Sequence, residues 1–349
     1  MKPTLDTTDG VDLDILTTWM TEQGLGDGPI YDVQRLAGGT QNILLSFARD
    51  GRTYIFRRPP LSKRKNSDET MRREARVLEA LNGTDVPHPD LIAACPDTDV
   101  IGAAFYLMEP IDGASPLPLP DRIAGDPELQ RELGESMIDA LAALGRVDHV
   151  AQGLSTLGRS DGWLTRQVSR WRAQLDSYSD IPEYPGPQLP HLERVATWLD
   201  DNIPDTWNPG LIHGDFHYGN VMVARDEPRI AAIVDWELCT IGDPLLDLGH
   251  LLANWPDPAF PGRTGVPVAT GMPTAAEAVE RYARASGRDV SDYKWFAVLA
   301  CYRLAILLEG SNARAHAGST TKEIGDMLGY RAKELFEQAN ALLDSADFN

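Results

Sequence analysis

The chain has 349 residues, more than one hydrophobic core usually serves, so we expect two lobes. Its hydrophobic share of 42% is that of an ordinary globular enzyme and excludes a disordered or fibrous protein. The formal net charge of −20 excludes general binding to nucleic acid, because phosphate contacts require a basic face.

The cysteines and the apolar runs indicate where the protein works. Cys95, Cys239 and Cys301 are widely separated and odd in number, so neither a disulfide framework nor a zinc site is indicated. Residues 1–10 lack the basic start and apolar run of a secretory signal. The longest apolar run, at 295–308, suits a buried core helix rather than a membrane span. We therefore predict a cytoplasmic protein without a membrane partner.

The first part of the chain predicts a helix that leads into an antiparallel sheet. Apolar spacing and turn residues, above all the hairpin turn Asp50-Gly51, mark the elements. In chain order they are a helix at 11–23, strands at 30–36, 42–48 and 53–57, a helix at 68–81 and a strand at 103–108. This segment is predicted to form one lobe, residues 1–111.

The remainder, residues 112–349, is predicted to be a second and mainly helical lobe. It opens with a segment rich in Gly, Ser and Pro at 112–120, which is typical of a flexible connection. Helical periodicity appears at 127–147, 163–176, 192–202, 275–286, 293–309 and 321–343. One hairpin interrupts these helices, with strands at 220–224 and 229–236.

The motif at 213–220 carries the chemistry. It reads His-Gly-Asp-Phe-His-Tyr-Gly-Asn and precedes the hairpin, whose second strand ends near Asp235. In a kinase catalytic loop an Asp orients the acceptor hydroxyl, an Asn five residues later reaches Mg²⁺, and a further Asp bridges the metals. Asp215, Asn220 and Asp235 match that order. Hard oxygen ligands hold the cation that offsets phosphoryl charge, so the pattern predicts phosphoryl transfer with ATP and Mg²⁺.

Further segments support a family resemblance. They are Gly38-Gly39-Thr40-Gln41-Asn42, the run Ile-Phe-Arg-Arg-Pro-Pro at 55–60, Arg73-Glu74, Phe-Tyr-Leu-Met-Glu at 105–109 and Asp-Pro-Leu-Leu-Asp at 243–247. With the His-Gly-Asp loop, the chain resembles the aminoglycoside phosphotransferase and choline kinase family. The branch it resembles most has kinase-like domains fused to acyl-CoA dehydrogenases. The resemblance implies an α+β, protein-kinase-like fold, with an antiparallel sheet lobe for the nucleotide and a larger helical lobe for catalysis and the acceptor.

The resemblance also implies roles around the catalytic loop. His213 is expected to be a structural post beneath the loop rather than a proton carrier. Asp247 is expected to accept backbone N–H bonds and support the loop, although a metal-linked role is the alternative. No chemistry is assigned to His217 or His250.

On the nucleotide side, the pattern departs from protein kinases. Gly38, Gly39, Thr40 and Asn42 lack the Gly-x-Gly-x-x-Gly spacing that lets backbone amides approach phosphates, and a plain hairpin turn is the alternative. Arg57 stands where kinases place a Lys, and a guanidinium can still cradle phosphate. The residues that the resemblance places at the partner helix and at the adenine-binding hinge are Glu74, Met108, Glu109 and Ile111.

The acceptor is left open by the sequence. An acidic cleft would suit a cationic acceptor such as an aminoglycoside or choline. Arg166, Arg170 and Arg303 would instead suit a carboxylate, a phosphate or an acyl-CoA, unless they form surface ion pairs. The branch implies a hydroxyacyl thioester. A non-catalytic nucleotide-binding module is the competing class, and a protein kinase is disfavoured because no Ala-Pro-Glu segment follows Asp235.

Overall fold

The structure is a computed structural model that describes residues 7–8, 10–36, 42–63, 65–256 and 269–345. The chain divides into two compact units. Unit 1 comprises residues 1–113 together with 231–239, and unit 2 comprises 114–230 together with 240–349. The first unit is therefore discontinuous in sequence, which the predicted division at residues 111 and 112 did not include.

Unit 1 is built on an antiparallel sheet. In chain order, its elements are β1 (Thr7–Thr8), β2 (Val11–Asp12), α1 (Leu13–Glu22), β3 (Tyr31–Arg35), β4 (Ile43–Arg49), β5 (Arg52–Arg58), α2 (Ser67–Leu81), β6 (Leu91–Cys95) and β7 (Phe105–Met108). The main sheet has the order β3-β4-β5-β7-β6. The tight turn at Asp50-Gly51 sets the β4–β5 register, in which Arg49 faces Arg52 and Leu44 faces Arg57.

The sheet and α1 enclose the core of unit 1. Burial alternates along β4, as expected for a strand with one face toward the core. Trp19 of α1 packs edge-on against Phe105 with ring centroids 4.7 Å apart, and Phe56 lies 5.3 Å from the same ring. These contacts fix β5 and β7, which carry Arg57 and Tyr106 to the site described below.

Unit 2 is mainly helical. Its elements follow β8 (Gly113–Ala114), where the chain passes from unit 1 to unit 2: α3 (Asp121–Ala124), α4 (Pro127–Gly145), α5 (Gln167–Asp176), α6 (Leu192–Asp201), β9 (Gly210–Ile212), β10 (Val221–Ala224), β12 (Thr240–Gly242), α7 (Leu245–Ala253), α8 (Ala275–Ser286), α9 (Tyr293–His316) and α10 (Lys322–Asp344). Strand β11 (Ile230–Ile233) begins with Ile230 in unit 2, and its other three residues belong to unit 1. Helix α9 packs against α7 and α10 at the centre of the unit.

Helix α9 is apolar on all sides because other helices surround it. By length and composition, it is the one helix in the described ranges that could cross a membrane, yet 78% of its most apolar window is buried inside the molecule. Helix α7 is similarly enclosed, with all nine of its residues buried. A helix enclosed in this way needs no exposed polar face.

Several boundaries differ from the sequence prediction for identifiable physical reasons. Residues 11–12 form β2 rather than helix, because the Asp12 side chain caps α1 by accepting from the N–H groups of Asp14 and Ile15 at 3.1 Å. The predicted helix at 163–176 begins as a 3₁₀ turn at Leu164–Arg166. The strands β6, β9 and β12 and the helix α7 were not predicted. The α+β, protein-kinase-like class is confirmed by the structural relatives reported below.

Candidate active site

The motif at 213–220 lies directly after β9 in unit 2. Strand β9 pairs antiparallel with β12, so the start of the loop is fixed by a short ladder. Gly214 has φ +84°, in the left-handed region where a Cβ is strained. That backbone turn presents the next residue, Asp215, at the start of the loop.

Two buried charged side chains hold the peptide units on either side of Gly214. The Asp247 carboxylate accepts the N–H of His213 at 2.6 Å and the N–H of Gly214 at 2.9 Å. On the opposite side, the Arg303 guanidinium donates to the Gly214 carbonyl. Burial raises the pKa of Asp247 to about 6, while the two backbone donors and Arg303 act in the opposite direction. The loop is therefore fastened through its main chain.

The Asp215 carboxylate is held by an amide and two imidazoles. Asn220 Nδ2 donates to Oδ2 at 3.0 Å and to the Asp215 carbonyl at 2.9 Å. His250 Nε2 lies 3.1 Å from Oδ1, and His217 Nε2 lies 3.5 Å from Oδ2. Burial acts to raise the pKa of Asp215, but the hydrogen bonds from His217 and His250 hold it well below its usual range. Asp215 is thus ionised and oriented.

His213 supports the loop through ring packing and one hydrogen bond. Its ring is fully buried and packs edge-on against Phe216, with centroids 6.2 Å apart. Its Nδ1 accepts the N–H of Asp215 at 3.2 Å. This contact positions the Asp215 main chain. Because it occupies Nδ1, that nitrogen cannot take the proton of an acceptor hydroxyl group.

Asp215, His217 and His250 bring three ligand atoms within 4.8 Å of one another, a spacing that could accommodate a metal ion. His217 Nδ1, however, accepts the N–H of Gly219 at 2.9 Å, so the neutral ring carries its proton on Nε2, the atom that faces Asp215. A protonated nitrogen cannot coordinate a metal. The geometry fits hydrogen-bond support of Asp215 rather than a metal centre.

A second charged cluster lies in unit 1. Arg57 Nε is 2.9 Å from Glu74 Oε2, and Arg57 Nη2 is 2.8 Å from Asp235 Oδ1. Tyr106 donates to the same carboxylate oxygen, with its hydroxyl 2.8 Å from Glu74 Oε2. Burial raises the pKa of Glu74 to about 7, and Arg57 and Tyr106 offset part of this rise. Burial acts to lower the pKa of Arg57, but its anionic surroundings raise it overall, so Arg57 stays charged.

Asp235 occupies an unusual backbone position in that cluster. Its φ of +68° is in the left-handed region, which non-glycine residues rarely adopt and which is enriched at functional sites. The segment that carries it is held on unit 1, because Ile233 N–H donates to the Pro87 carbonyl at 2.8 Å and Arg73 donates to the Cys239 carbonyl. The Asp235 side chain is 41% exposed, so its carboxylate is accessible to solvent.

The remaining residues predicted on the nucleotide side are placed as follows. Gly38, Gly39 and Thr40 lie outside the described residues, and Asn42 directly precedes β4. Met108 ends β7. The N–H of Glu109 donates to the Asp90 carbonyl at 2.9 Å, and its carboxylate pairs with Arg52. The Ile111 carbonyl accepts the N–H of Gly113 at 3.0 Å. The Glu109 N–H is therefore engaged within the chain rather than open to adenine.

The three arginines predicted for the acceptor differ in their surroundings. Arg166 donates to the carbonyls of Gly162 and Arg159, at 3.1 and 2.9 Å. Arg303 is buried and fastened to Gly214. Arg170 is exposed and lies against Trp171. The structure thus brings Arg170 and Arg303 to one aromatic ring, and it leaves Arg166 tied to its own loop.

The sequence analysis assigned no role to His217 and His250, which the structure places against Asp215. A signal was available for His250. It follows Asp247 by three residues, so on a helix both side chains point to one face. No comparable signal existed for His217.

Comparisons with known proteins identify similar sequences and structures. The model of the family described as "Phosphotransferase enzyme family" matches residues 32–299. The chain is 32% identical over 312 residues to a probable acyl-CoA dehydrogenase, IBR3, of Arabidopsis thaliana, covering 84% of this chain and 36% of that protein. It is 29% identical over 308 residues to acyl-CoA dehydrogenase family member 11 of Rattus norvegicus, covering 84% and 38%. The chain thus spans well under half the length of these relatives.

Solved structures show the same fold. A Ralstonia eutropha protein, provisionally assigned as an aminoglycoside phosphotransferase, superposes with a TM-score of 0.81 at 28% identity, covering 96% of this chain and 98% of that one. The aminoglycoside phosphotransferase APH(4)-Ia, in a ternary complex with AMP-PNP and hygromycin B, gives a TM-score of 0.59 at 14% identity, covering 93% and 99%. The second likeness concerns the fold alone.

Proposed function

The chain belongs to the phosphotransferase enzyme family, and we propose that it transfers the γ-phosphoryl group of ATP to a hydroxyl group of a small-molecule acceptor. The observation that carries this proposal is the ionised Asp215 carboxylate, held by Asn220, His217 and His250 on a loop fastened through its backbone. A carboxylate fixed in this way can orient a hydroxyl group and accept its proton.

The reaction follows from the placement of that carboxylate. The acceptor hydroxyl donates to Asp215, and its oxygen attacks the γ-phosphorus while the bond from that phosphorus to the β–γ bridging oxygen breaks. The hydroxyl proton passes to Asp215 and is later released to solvent, and ADP leaves. Because the transition state is loose and charge is spread over the phosphoryl oxygens, orientation and charge compensation supply most of the rate enhancement.

The metal and nucleotide ligands are proposed from their donor chemistry. Asn220 and Asp235 are each proposed as a Mg²⁺ ligand, since an amide oxygen and a carboxylate are hard ligands, and Mg²⁺ supplies charge compensation at the phosphates when it is bound. In unit 1, Arg57 would contact the phosphates, because its guanidinium is fixed by Glu74 and remains charged. The residues Gly38, Gly39, Thr40, Asn42, Met108, Glu109 and Ile111 complete the proposed nucleotide site, where Glu109 would contribute through groups other than its N–H, which donates to Asp90.

For the acceptor, we propose a hydroxylated metabolite of the hydroxyacyl-CoA kind. The support is the similarity to relatives named as acyl-CoA dehydrogenases, together with the arginines near the catalytic loop. Cationic acceptors of the aminoglycoside or choline kind are the competing class, and the net charge of −20 favours them. The two classes differ in the sign of the acceptor charge, so one panel separates them.

The test is a coupled ADP-release assay with Mg²⁺-ATP and a panel of hydroxyacyl-CoA compounds, homoserine, choline and aminoglycosides. We expect release that depends on a hydroxyacyl-CoA and that disappears in Asp215→Asn. ADP release with choline or an aminoglycoside, and not with a hydroxyacyl-CoA, would support the proposed reaction with a cationic acceptor instead. Nucleotide binding without release on any acceptor would favour a non-catalytic nucleotide-binding module.

A further inference from the structure

Two buried hydrogen-bond donors beside the catalytic loop have no acceptor. Within the described part of the chain, Arg303 Nη1 and Trp171 Nε1 are shielded from solvent and meet no hydrogen-bond partner. The other terminal nitrogen of Arg303 donates to the Gly214 carbonyl, one residue before Asp215. A buried donor without a partner destabilises the folded state, so such groups mark the place of a water, an ion or a ligand oxygen.

The two residues that carry these donors lie next to each other. The Arg303 guanidinium lies 5.4 Å from the centre of the Trp171 ring. Arg170, the neighbouring residue on α5, also lies over that ring, at 5.1 Å. Burial lowers the pKa of Arg303 and the nearby Arg170 charge lowers it further, while Asp215 and Asp247 raise it. Two like charges at one aromatic ring disfavour each other, and a bound anion would relieve that repulsion.

The surroundings of Arg170 also favour a bound anion. Arg172, two residues along α5, forms ion pairs with Glu193 and Asp176. Among the residues that the structure describes, Arg170 has no such carboxylate, although the chain carries 52 acidic residues. Its side chain is exposed and lies over the Trp171 ring. Arg170, Trp171 and Arg303, which we call the α5 donor cluster, thus offer charge and unfilled donors together.

We propose that the α5 donor cluster is a subsite for an oxyanion, a carboxylate or a phosphate, carried by the acceptor. It rests on the proposed function, because the cluster gains its meaning from its place beside Asp215. The acceptor is then an anionic hydroxy compound whose charged group is held by Arg170 and Arg303 while its hydroxyl group reaches Asp215. The two guanidinium groups disfavour a cationic group at this cluster.

The experiment uses the full chain and observes Trp171 directly. The indole ¹H–¹⁵N resonance of Trp171 is identified by its loss in Trp171→Phe, which removes the donor and keeps an aromatic ring. Butyrate and inorganic phosphate are titrated as separate probes for the two oxyanions, and choline serves as the cation. We expect a saturable downfield shift with at least one anion and none with choline.

Matched variants on one helix sharpen the test. We expect Arg170→Gln to weaken the anion affinity about tenfold, the value of one charge-assisted contact, and Arg172→Gln to change it less than twofold. The subsite would be overturned if neither anion moved the indole resonance or if choline moved it equally. Equal effects of the two variants on anion affinity would also overturn it. Anion binding requires no phosphoryl transfer, so this result is independent of the ADP-release assay that decides the proposed function.

Discussion

The aspartates of the two units are held in different ways. Asp215 in unit 2 is surrounded by an amide and two imidazoles, of which His250 is buried and has its pKa lowered by that burial. Asp235 in unit 1 is paired with the guanidinium of Arg57, which stays charged and also holds Glu74. Asp215 is thus oriented without being neutralised, whereas the charge of Asp235 is already compensated within unit 1.

This difference predicts separate functions. A carboxylate held in one orientation by surrounding donors is suited to orienting a hydroxyl group and receiving its proton. A carboxylate that shares a guanidinium with a helix glutamate is suited to a charged site for phosphate and metal. Changes in unit 2 should therefore affect chemistry, and changes in unit 1 should affect nucleotide binding and stability.

The largest expected effect is on turnover. Asp215→Asn keeps the shape of the side chain but removes the proton acceptor, so we expect kcat to fall about 10³-fold, within the range of general-base catalysis. The measurement is acceptor-dependent ADP release. Asp226→Asn, an exposed carboxylate in the β10–β11 turn, is the control and should match the unmodified protein. Unchanged turnover in Asp215→Asn would remove Asp215 from the reaction.

The next effect is on the stability of unit 1. Arg57→Gln leaves Glu74 buried without its cation, and breaking a buried pair on one side costs about 3–5 kcal/mol. Urea unfolding measures the loss. Arg52→Gln, on the same strand β5, breaks the more exposed pair with Glu109 and should cost at most about 1 kcal/mol. Equal losses in the two variants would contradict a buried, structural Arg57–Glu74 pair.

A smaller loss of stability is expected in unit 2. Asp247→Asn retains one acceptor oxygen for the N–H groups of His213 and Gly214 but brings an amide donor into a buried site, at a cost of about 1–3 kcal/mol. Thermal unfolding detects this change, with the exposed Asp201→Asn as the control. A melting temperature no lower than that of Asp201→Asn would show that the two bonds do not support the loop.

The smallest expected effect is on nucleotide affinity. Asp235→Ala removes one proposed Mg²⁺ ligand, and we expect affinity for AMP-PNP in the presence of Mg²⁺ to fall roughly tenfold, the loss of one charged contact. Calorimetry with and without a chelator measures the metal-dependent part, and Asp99→Ala in the same unit is the control. Metal-independent affinity that the substitution leaves unchanged would argue against a metal site at Asp235.

The sequence predicted those parts of the molecule that depend on local spacing. The order of Asp215, Asn220 and Asp235 requires only a loop followed by a hairpin, and the turn at Asp50-Gly51 determines β4 and β5. The fold class, α+β and protein-kinase-like, follows from the same motifs.

Other parts depend on burial by distant segments. Helix α7 was missed because it is only nine residues long and buried on every face, so no exposed polar face marks it. Strands β9 and β12 are three residues each and gain their ladder from one another across 27 intervening residues, 213–239. The contact of His250 with Asp215 depends on α7 and was missed with it.

The most direct test of the central claim follows the phosphoryl group itself. The unmodified protein and Asp215→Asn are incubated with ATP labelled at the γ-phosphorus or, separately, at the α-phosphorus, and with the acceptor that the ADP-release assay identifies. Label should pass from the γ position to the acceptor, not from the α position, and Asp215→Asn should transfer none. Label that appears only in inorganic phosphate, or equal transfer by the variant, would contradict the proposed reaction.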